Sequence, residues 1–475
     1  MPIPTLVIAG THSGVGKTSV AIGLMRAFTN RGLRVQSFKI GPDFIDPSHH
    51  WRATGRVSHN LDGWMLNRDQ NLELFHQACQ GADLAIVEGV MGLFDGYGAE
   101  SEAGSTAEMA KWLGAPVMLV INASALGRSA AALILGYEHF DPDLTVAGVI
   151  CNQIGSESHL KRICSAVSQT VQVSILGGIP RTESVRIPER HLGLWRANEA
   201  GLTHYLDTLA QLVTDHLDLE ELIKIAQSDQ GQLTASANFA LETNGPKHLP
   251  RFPQVRIGIA QDQAFCFYYA INLRLLEQAG AELIPFSPIQ DSLPEGLNGL
   301  YIGGGYPELH AKQLSENRAM CDAIATFCTS GRPVYAECGG LMYLSQGLLG
   351  AEKQRYRFVG ILPFWTQMGK RVKLGYRQVD MVGAYSGFPH QGTIRGHRFH
   401  YSDIVDAQGD LLDITPTSLE TSQRGQLQFN YRLQGWNHHQ TWEGYQIHNV
   451  LASYVHLHFG SNPAFAQQFV QFCRQ

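Results

Sequence analysis

Short apolar runs alternating with longer helical patterns constrain this chain more than any other feature. Residues 4–9 (PTLVIA), 35–40 (VQSFKI), 84–89 (LAIVEG), 117–121 (VMLVI) and 146–151 (VAGVIC) are of strand length. They are near-continuously apolar rather than alternating, the pattern of parallel strands covered on both faces. Residues 20–28 between the first two runs have helical spacing. Strands that alternate with helices predict a doubly wound parallel sheet.

The rhythm stops at residues 227–254, a polar stretch with three prolines and no amphipathic period, which reads as a linker. It restarts at 255–260 (VRIGIA), 281–286 (AELIPF), 300–302 and 333–337 (PVYAE). A second α/β unit is expected there, as the 475 residues also suggest, since domains run to roughly 100–200 residues. Residues 415–432, rich in Gln, Ser and Thr, read as a mobile surface loop. Hydrophobic residues at 44% and charged residues at 16% exclude a disordered chain. The net charge of −6 gives no bulk reason to bind nucleic acid. Eight cysteines without a C-x2-C pair argue against zinc knuckles, iron–sulfur runs and a disulfide scaffold. No apolar run is long enough for a membrane span, and the opening residues read as a strand rather than a signal peptide, so a cytoplasmic protein is expected.

The first strand leads into GTHSGVGKTS, residues 10–19. A phosphate loop needs glycines so that successive backbone N–H groups can turn toward phosphate oxygens. It needs a lysine for the β/γ-phosphates and a hydroxyl for Mg²⁺, here Lys17 and Thr18. The loop is one residue longer than the usual G-x4-G-K-[ST], with Gly14 inside it and Gly16 before the lysine. A metal needs carboxylates as well. Asp43 and Asp46 follow the second strand, while Glu88 closes the third and precedes Asp95. Ligands bind beyond the carboxyl ends of such strands, so these acids fall on the correct edge. Lys39 stands near the same turn, where it can neutralise a transferred phosphoryl group.

Residues 333–345 read PVYAECGGLMYLS. Cys338 lies between a strand and a helical pattern, and Gly339 and Gly340 permit a sharp turn that exposes the sulfur, with the helix start expected to lower the thiol pKa. A thiol nucleophile needs a base. SYVHLHF supplies His456 and His458, on one side of a period-two strand. The three glycines of YIGGGYPE, residues 301–308, can aim backbone N–H groups at a tetrahedral oxyanion. His438 and His439 read as surface residues. Together the motifs suggest a thioester site releasing ammonia and a phosphorylating site activating a carboxylate.

The whole chain resembles the cobyrinic acid a,c-diamide synthase family of corrin-amidating enzymes. GTHSGVGKT, KIGPDFIDP, EGVMGLFDG and LGGIPR carry the likeness in the first part, which is similar to dethiobiotin-synthetase-type P-loop NTPase domains. GGGYPE, AECGGLMYL, GYR and YVHLHF carry it in the second, similar to class I glutamine amidotransferases of the cobyrinate/cobyric acid subtype. The resemblance implies two α/β domains: a P-loop ATP-binding synthetase domain over residues 1–226 and a flavodoxin-like amidotransferase domain over 255–475. It implies Cys338 as nucleophile with His456 as its base, and Gly304 and Gly305 as the oxyanion loop. Gly14, Gly16, Lys17, Thr18, Lys39 and Asn152 would bind ATP, Asn152 at the adenine edge. Thr18, Asp43 and Glu88 would hold Mg²⁺, and Asp46 and Asp95 would serve the acceptor. The implied reaction phosphorylates and then amidates carboxylates a and c of cobyrinic acid, with ATP and L-glutamine as co-substrates. No membrane or nucleic-acid partner is implied, and a homodimer is compatible.

Two departures stand out. GHRFHYS carries Arg398 where the subtype commonly has an acid, so Arg398 pairs with a substrate carboxylate or faces solvent. No carboxylate follows the histidine in the usual H-x-E place, which His458 occupies, so a Cys–His dyad is expected. Arg371, Lys373 and Arg377 form a basic run expected just before a strand, as a solvated face or a carboxylate-steering one. Nickel-sirohydrochlorin and hydrogenobyrinic acid a,c-diamide synthases remain alternatives of the same chemistry, and cobyric acid synthase a more distant one. A phosphate-loop switch or scaffold with a decayed amidase is the alternative of another class.

Overall fold

The computed structural model describes residues 3–182, 199–228, 254–350, 354–382, 388, 392–416, 427–435 and 440–475. The chain divides into two units, Met1–Lys247 and His248–Gln475. Most of the stretch read as a linker, and His438 and His439, lie outside the described residues.

The first unit is built on a parallel sheet of strands β1 Thr5–Gly10, β2 Val35–Ile40, β3 His59–Leu61, β4 Leu84–Glu88, β5 Val117–Asn122, β6 Val146–Ile154 and β7 Ile175–Pro180. Their order is β3-β2-β4-β1-β5-β6-β7. All of β1 is buried, because helices cover both sides of a parallel sheet. Each fully buried aliphatic side chain there is worth roughly 1.5–3 kcal/mol. Register sets Ile8 and Lys39 beside Glu88, so the carboxyl ends of β1, β2 and β4 meet. The helix Lys17–Asn30 begins at the end of the phosphate loop.

The second unit contains β8 Val255–Ala260, β9 Ala281–Phe286, β10 Gly299–Ile302, β11 Val334–Glu337, β12 Gly347–Leu349, β13 Arg355–Arg357, β14 Trp365–Met381, β15 Thr393–Val405, β16 Gln428–Gln434, β17 Gln440–Ile447, β18 Val450–Ser453 and β19 Val455–Leu457. Its parallel part runs β9-β8-β10-β11-β18. In chain order this is 2-1-3-4-5, the flavodoxin-like arrangement. Tyr335 of β11 packs on Phe465 and Phe469 of the closing helix Ala464–Cys473. A mixed extension, β17-β16-β14-β12, continues the sheet, antiparallel except for the parallel pair β14-β12, and β15 pairs both β14 and β19.

Two expectations are corrected here. Arg371, Lys373 and Arg377 lie inside the long strand β14 rather than before a strand, and a register shift between Met368 and Lys373 interrupts its pairing with β15. Residues 428–432 belong to β16, so the segment read as a loop is partly strand; residues 417–426 lie outside the described ones.

Candidate active sites

In the first unit the loop closes over the sheet edge. Gly16 takes φ 102° ahead of the helix Lys17–Asn30, and a Cβ there would meet the Asn152 amide nitrogen at 2.1 Å. Gly14, at φ 80°, leaves open space where a Cβ would stand. The helix start directs its free N–H groups toward the loop. Lys17 Nζ donates to the carbonyls of Met91 and His12. Burial, and then the nearby Lys39, push its pKa down.

Glu88 is the hub of the acidic edge. Its Oε1 accepts from Thr18 Oγ1 at 2.6 Å and Lys39 Nζ at 2.9 Å. Its Oε2 lies 2.7 Å from His50 Nε2, and both side chains are wholly buried. Lys39 also pairs with Asp46 at 2.7 Å. Burial disfavours charge on Lys39, but Glu88 and Asp46 outweigh it and raise the pKa. Burial likewise opposes charge on Asp46, yet Lys39 holds it well below the usual carboxylate range. Burial and the neighbouring Asp46 push Asp43 well up, and Asp43 Oδ1 accepts from the Ile45 N–H. Asp95 Oδ2 accepts from the Gly92 N–H. Thr18, Asp43, Asp46, Glu88 and Lys39 therefore share one network, and Asp95 supports the adjoining loop.

This donor set fits magnesium-bound ATP. Crowded, desolvated carboxyls such as Asp43 and Asp46 are what a divalent cation relieves. Among the described residues no three acidic, histidine or cysteine side chains form a metal cage. Magnesium does not require one, since it keeps waters and phosphate oxygens.

Asn152 stands against the phosphate loop. Its Nδ2 donates to the Val15 carbonyl at 2.8 Å and its Oδ1 accepts from the Gln153 N–H. The amide ties β6 to the phosphate loop and keeps a second N–H and a second oxygen lone pair. His50 carried no sequence signal, because its partner lies 38 residues away.

In the second unit Cys338 stands between β11 and the helix Gly339–Leu344 with φ 49°. A non-glycine residue at positive φ is strained and marks a tight strand-to-helix turn. Cys338 N–H is held by the Ser453 carbonyl at 2.7 Å. The glycine loop packs against this turn: a Cβ on Gly339 would meet the Gly305 nitrogen at 3.1 Å, and one on Gly304 would meet His456 Cε1 at 2.4 Å. A Cβ on Gly305 would collide with the Ala264 carbonyl oxygen at 2.1 Å. The structure thus brings Cys338, Gly304, Gly305 and His456 into one cluster. His458 lies just past β19 and packs on Tyr269 at 4.7 Å.

The thiol is not lowered as the sequence suggested. Burial and then Glu308 push Cys338 up to about 12, outweighing the Gly339 N–H that favours the thiolate. Burial pushes His456 down to about 3 and Glu308 up to about 7. Both shifts favour the neutral forms, thiol and imidazole.

A carboxylate is also present where none was expected. Glu337 Oε2 lies 3.8 Å from His456 Nδ1, with both side chains 1% exposed. Its sequence signal was adjacency to Cys338, but the histidine is 119 residues further on. Arg398, expected in solvent or on substrate, pairs instead with the buried Glu443. Burial and then Arg377 push its pKa down to about 10. Glu443 in turn accepts from Ser453 Oγ and the Tyr454 N–H. In the basic run, Lys373 pairs with Asp403 and Arg377 donates to the Tyr376 carbonyl.

Comparison with known proteins matches both units. Residues 6–194 match the CobQ/CobB/MinD/ParA nucleotide binding domain, and residues 256–464 the CobB/CobQ-like glutamine amidotransferase domain. A cobyrinate a,c-diamide synthase of Syntrophotalea carbinolica is 45% identical, covering 100% of this chain and 99% of its own. Those of Archaeoglobus fulgidus and Leptospira interrogans are 42% and 40% identical, each over 99% of this chain and 98% of their own. Among solved structures, a glutamine amidotransferase aligns with 46% of this chain and 98% of its own at 16% identity, with a TM-score of 0.32. With identity of this level sustained from end to end, the chain belongs to the cobyrinate a,c-diamide synthase family.

Proposed function

We propose that the chain amidates the a and c carboxylates of cobyrinic acid, using ATP to activate each carboxylate and glutamine as the nitrogen source. One observation carries the reading: a complete phosphate-loop network and a complete cysteine–glycine-loop–histidine cluster lie on one chain whose relatives bear that activity over their full length.

In the second unit, Cys338 Sγ attacks the glutamine side-chain carbonyl carbon while His456 takes the thiol proton. N–H groups of the Gly304–Gly305 loop stabilise the oxyanion. Collapse expels ammonia with the proton returned by His456, leaving a glutamyl thioester that water hydrolyses to glutamate. In the first unit, a ring carboxylate oxygen attacks the ATP γ-phosphorus, giving an acyl phosphate and ADP. Lys17 and Lys39 offset the charge of the transferring group. Thr18, Asp43 and Glu88 would hold Mg²⁺, which when bound neutralises phosphate charge. Ammonia then attacks the acyl carbon, phosphate leaves, and the cycle repeats at the second carboxylate.

The test is incubation with Mg-ATP and glutamine plus either cobyrinic acid or nickel-sirohydrochlorin, read by mass spectrometry. The proposal expects two OH-to-NH2 exchanges on cobyrinic acid and little change in the nickel compound. The reverse preference would replace the acceptor while keeping the chemistry. No amidation of either would refute the assignment.

A further inference from the structure

The carboxyl of Glu337 is built into the glutaminase centre too deliberately for a strand residue that merely precedes the nucleophile. Burying a carboxyl without partners is costly, and this one is fully enclosed among donors. Oε1 accepts from Tyr335 Oη at 2.6 Å and from the Leu457 N–H at 3.0 Å. Oε2 accepts from Tyr301 Oη at 2.9 Å and faces His456 Nδ1 at 3.8 Å. Three strands converge on it: β10 through Tyr301, β11 through Tyr335 and Glu337 itself, and β19 through Leu457 and His456. The strained turn at Cys338 leaves Glu337 facing the histidine while the sulfur points toward the Phe399 carbonyl at 3.8 Å.

We propose that Glu337 is the positioning carboxylate of the glutaminase, completing a Cys338–His456–Glu337 relay from the residue before the nucleophile rather than from beyond the histidine. The assignment rests on the glutaminase reading of Cys338 and His456. Glu337 fixes the proton on Nδ1, which leaves Nε2 as the base toward the thiol. When Sγ bonds to the glutamine carbonyl carbon, the thiol proton passes to Nε2 and the carbonyl π pair moves to oxygen. The resulting imidazolium keeps its Nδ1–H toward Glu337 Oε2. The same proton leaves with ammonia when the carbon–nitrogen bond breaks. A separation of 3.8 Å is long for a hydrogen bond, but catalytic contacts of this kind tighten when substrate binds.

The surroundings define what a pH measurement would read. Tyr301, Tyr335 and Tyr431 face the Glu337 carboxyl. His397 stacks on His456 at 4.9 Å. Glu308, Arg398 and Tyr454 act on the thiol. Burial holds Glu337 near 7 against its three donors, so near neutrality the carboxyl supplies charge as the imidazolium forms.

The experiment uses the full-length enzyme with glutamine, ammonia and iodoacetamide as probes. E337Q should lower kcat for glutamine hydrolysis by on the order of 10²–10⁴-fold, with KM for glutamine within about twofold. Ammonia-driven amidation should be unchanged. The pH midpoint for alkylation of Cys338, read on its peptide, should move upward, because the thiolate–imidazolium pair loses its counter-charge. A packing role would lower turnover without moving that midpoint, and that result would overturn the proposal. So would E337Q with kcat within about threefold of the parent. Should E337Q fail to fold, E337D withdraws the carboxylate by one methylene and carries the same two readouts. A parent enzyme with no glutaminase activity would instead refute the Cys338–His456 reading on which the inference rests.

Discussion

On the proposed mechanism Cys338 and Lys17 divide the chemistry, so their substitutions should separate. C338A removes only the thioester route: glutamine-driven synthesis should fall by on the order of 10³-fold or more, while ammonia-driven synthesis stays within about twofold. Loss of both in a folded variant would contradict that division. K17A removes the cation proposed to face the phosphates, so glutamine- and ammonia-driven synthesis should fall together, by at least about a hundredfold. Persistent ammonia-driven turnover would show that Lys17 does not serve activation. The residues that motifs name were legible, because a phosphate loop and a cysteine elbow are local in sequence. His50 and Glu337 were not. Each meets its partner only through the tertiary fold, His50 from the helix Ile45–Thr54 and Glu337 across the sheet, and adjacency to Cys338 does not by itself reveal that Glu337 faces His456.

The glycine loop after β10 shows how an element is committed to its neighbour. Gly304 lies where a methyl group would press on His456 Cε1 at 2.4 Å. G304A should therefore displace the base and cut glutamine-driven turnover by on the order of 10²-fold, leaving ammonia-driven turnover intact. Equal glutamine-driven rates in G304A and the parent would place the loop elsewhere in the mechanism. Most parallel strands were visible in the sequence to within a few residues, because burial on both faces makes them continuously apolar, but β7, with its paired glycines, and the short β18 were not. β3, with three residues, and the antiparallel strands β12–β17 were not. β14 carries lysines and arginines along a half-exposed face, so its pattern reads as a basic run rather than a strand. β13 is simply Arg-Tyr-Arg. Charge on an edge strand masks β periodicity while protecting the edge from pairing with another chain.

At the scale of a whole unit, the buried histidines set a pH dependence. Burial pushes His456 down to about 3, His458 to about 4 and His400 to about 2, and lowers His397 as well. The unfolded chain binds these protons below about 6.5 while the folded unit resists them. Their contribution is intact above that pH and is lost as pH falls toward the folded values. Glu308 and Glu337 act in the opposite sense: each is raised to about 7, so its contribution is present below about 4.5 and lost as pH rises through 7. Four histidines oppose two carboxyls, so the calorimetric transition of this unit should move to lower temperature between pH 6.5 and pH 4.5. A transition that rises over that interval would mean the histidines are already charged in the fold. No helix among the described residues is long and apolar enough to cross a membrane.

The central claim is that one chain carries nitrogen from glutamine into an ATP-activated carboxylate. Glutamine labelled with heavy nitrogen in its side-chain amide tests it most directly, in a reaction with Mg-ATP and cobyrinic acid and no added ammonium. The account predicts a diamide carrying the heavy isotope at both new amides, with no diamide when ATP is omitted. A product carrying only unlabelled nitrogen, or amidation that proceeds without ATP, would contradict it.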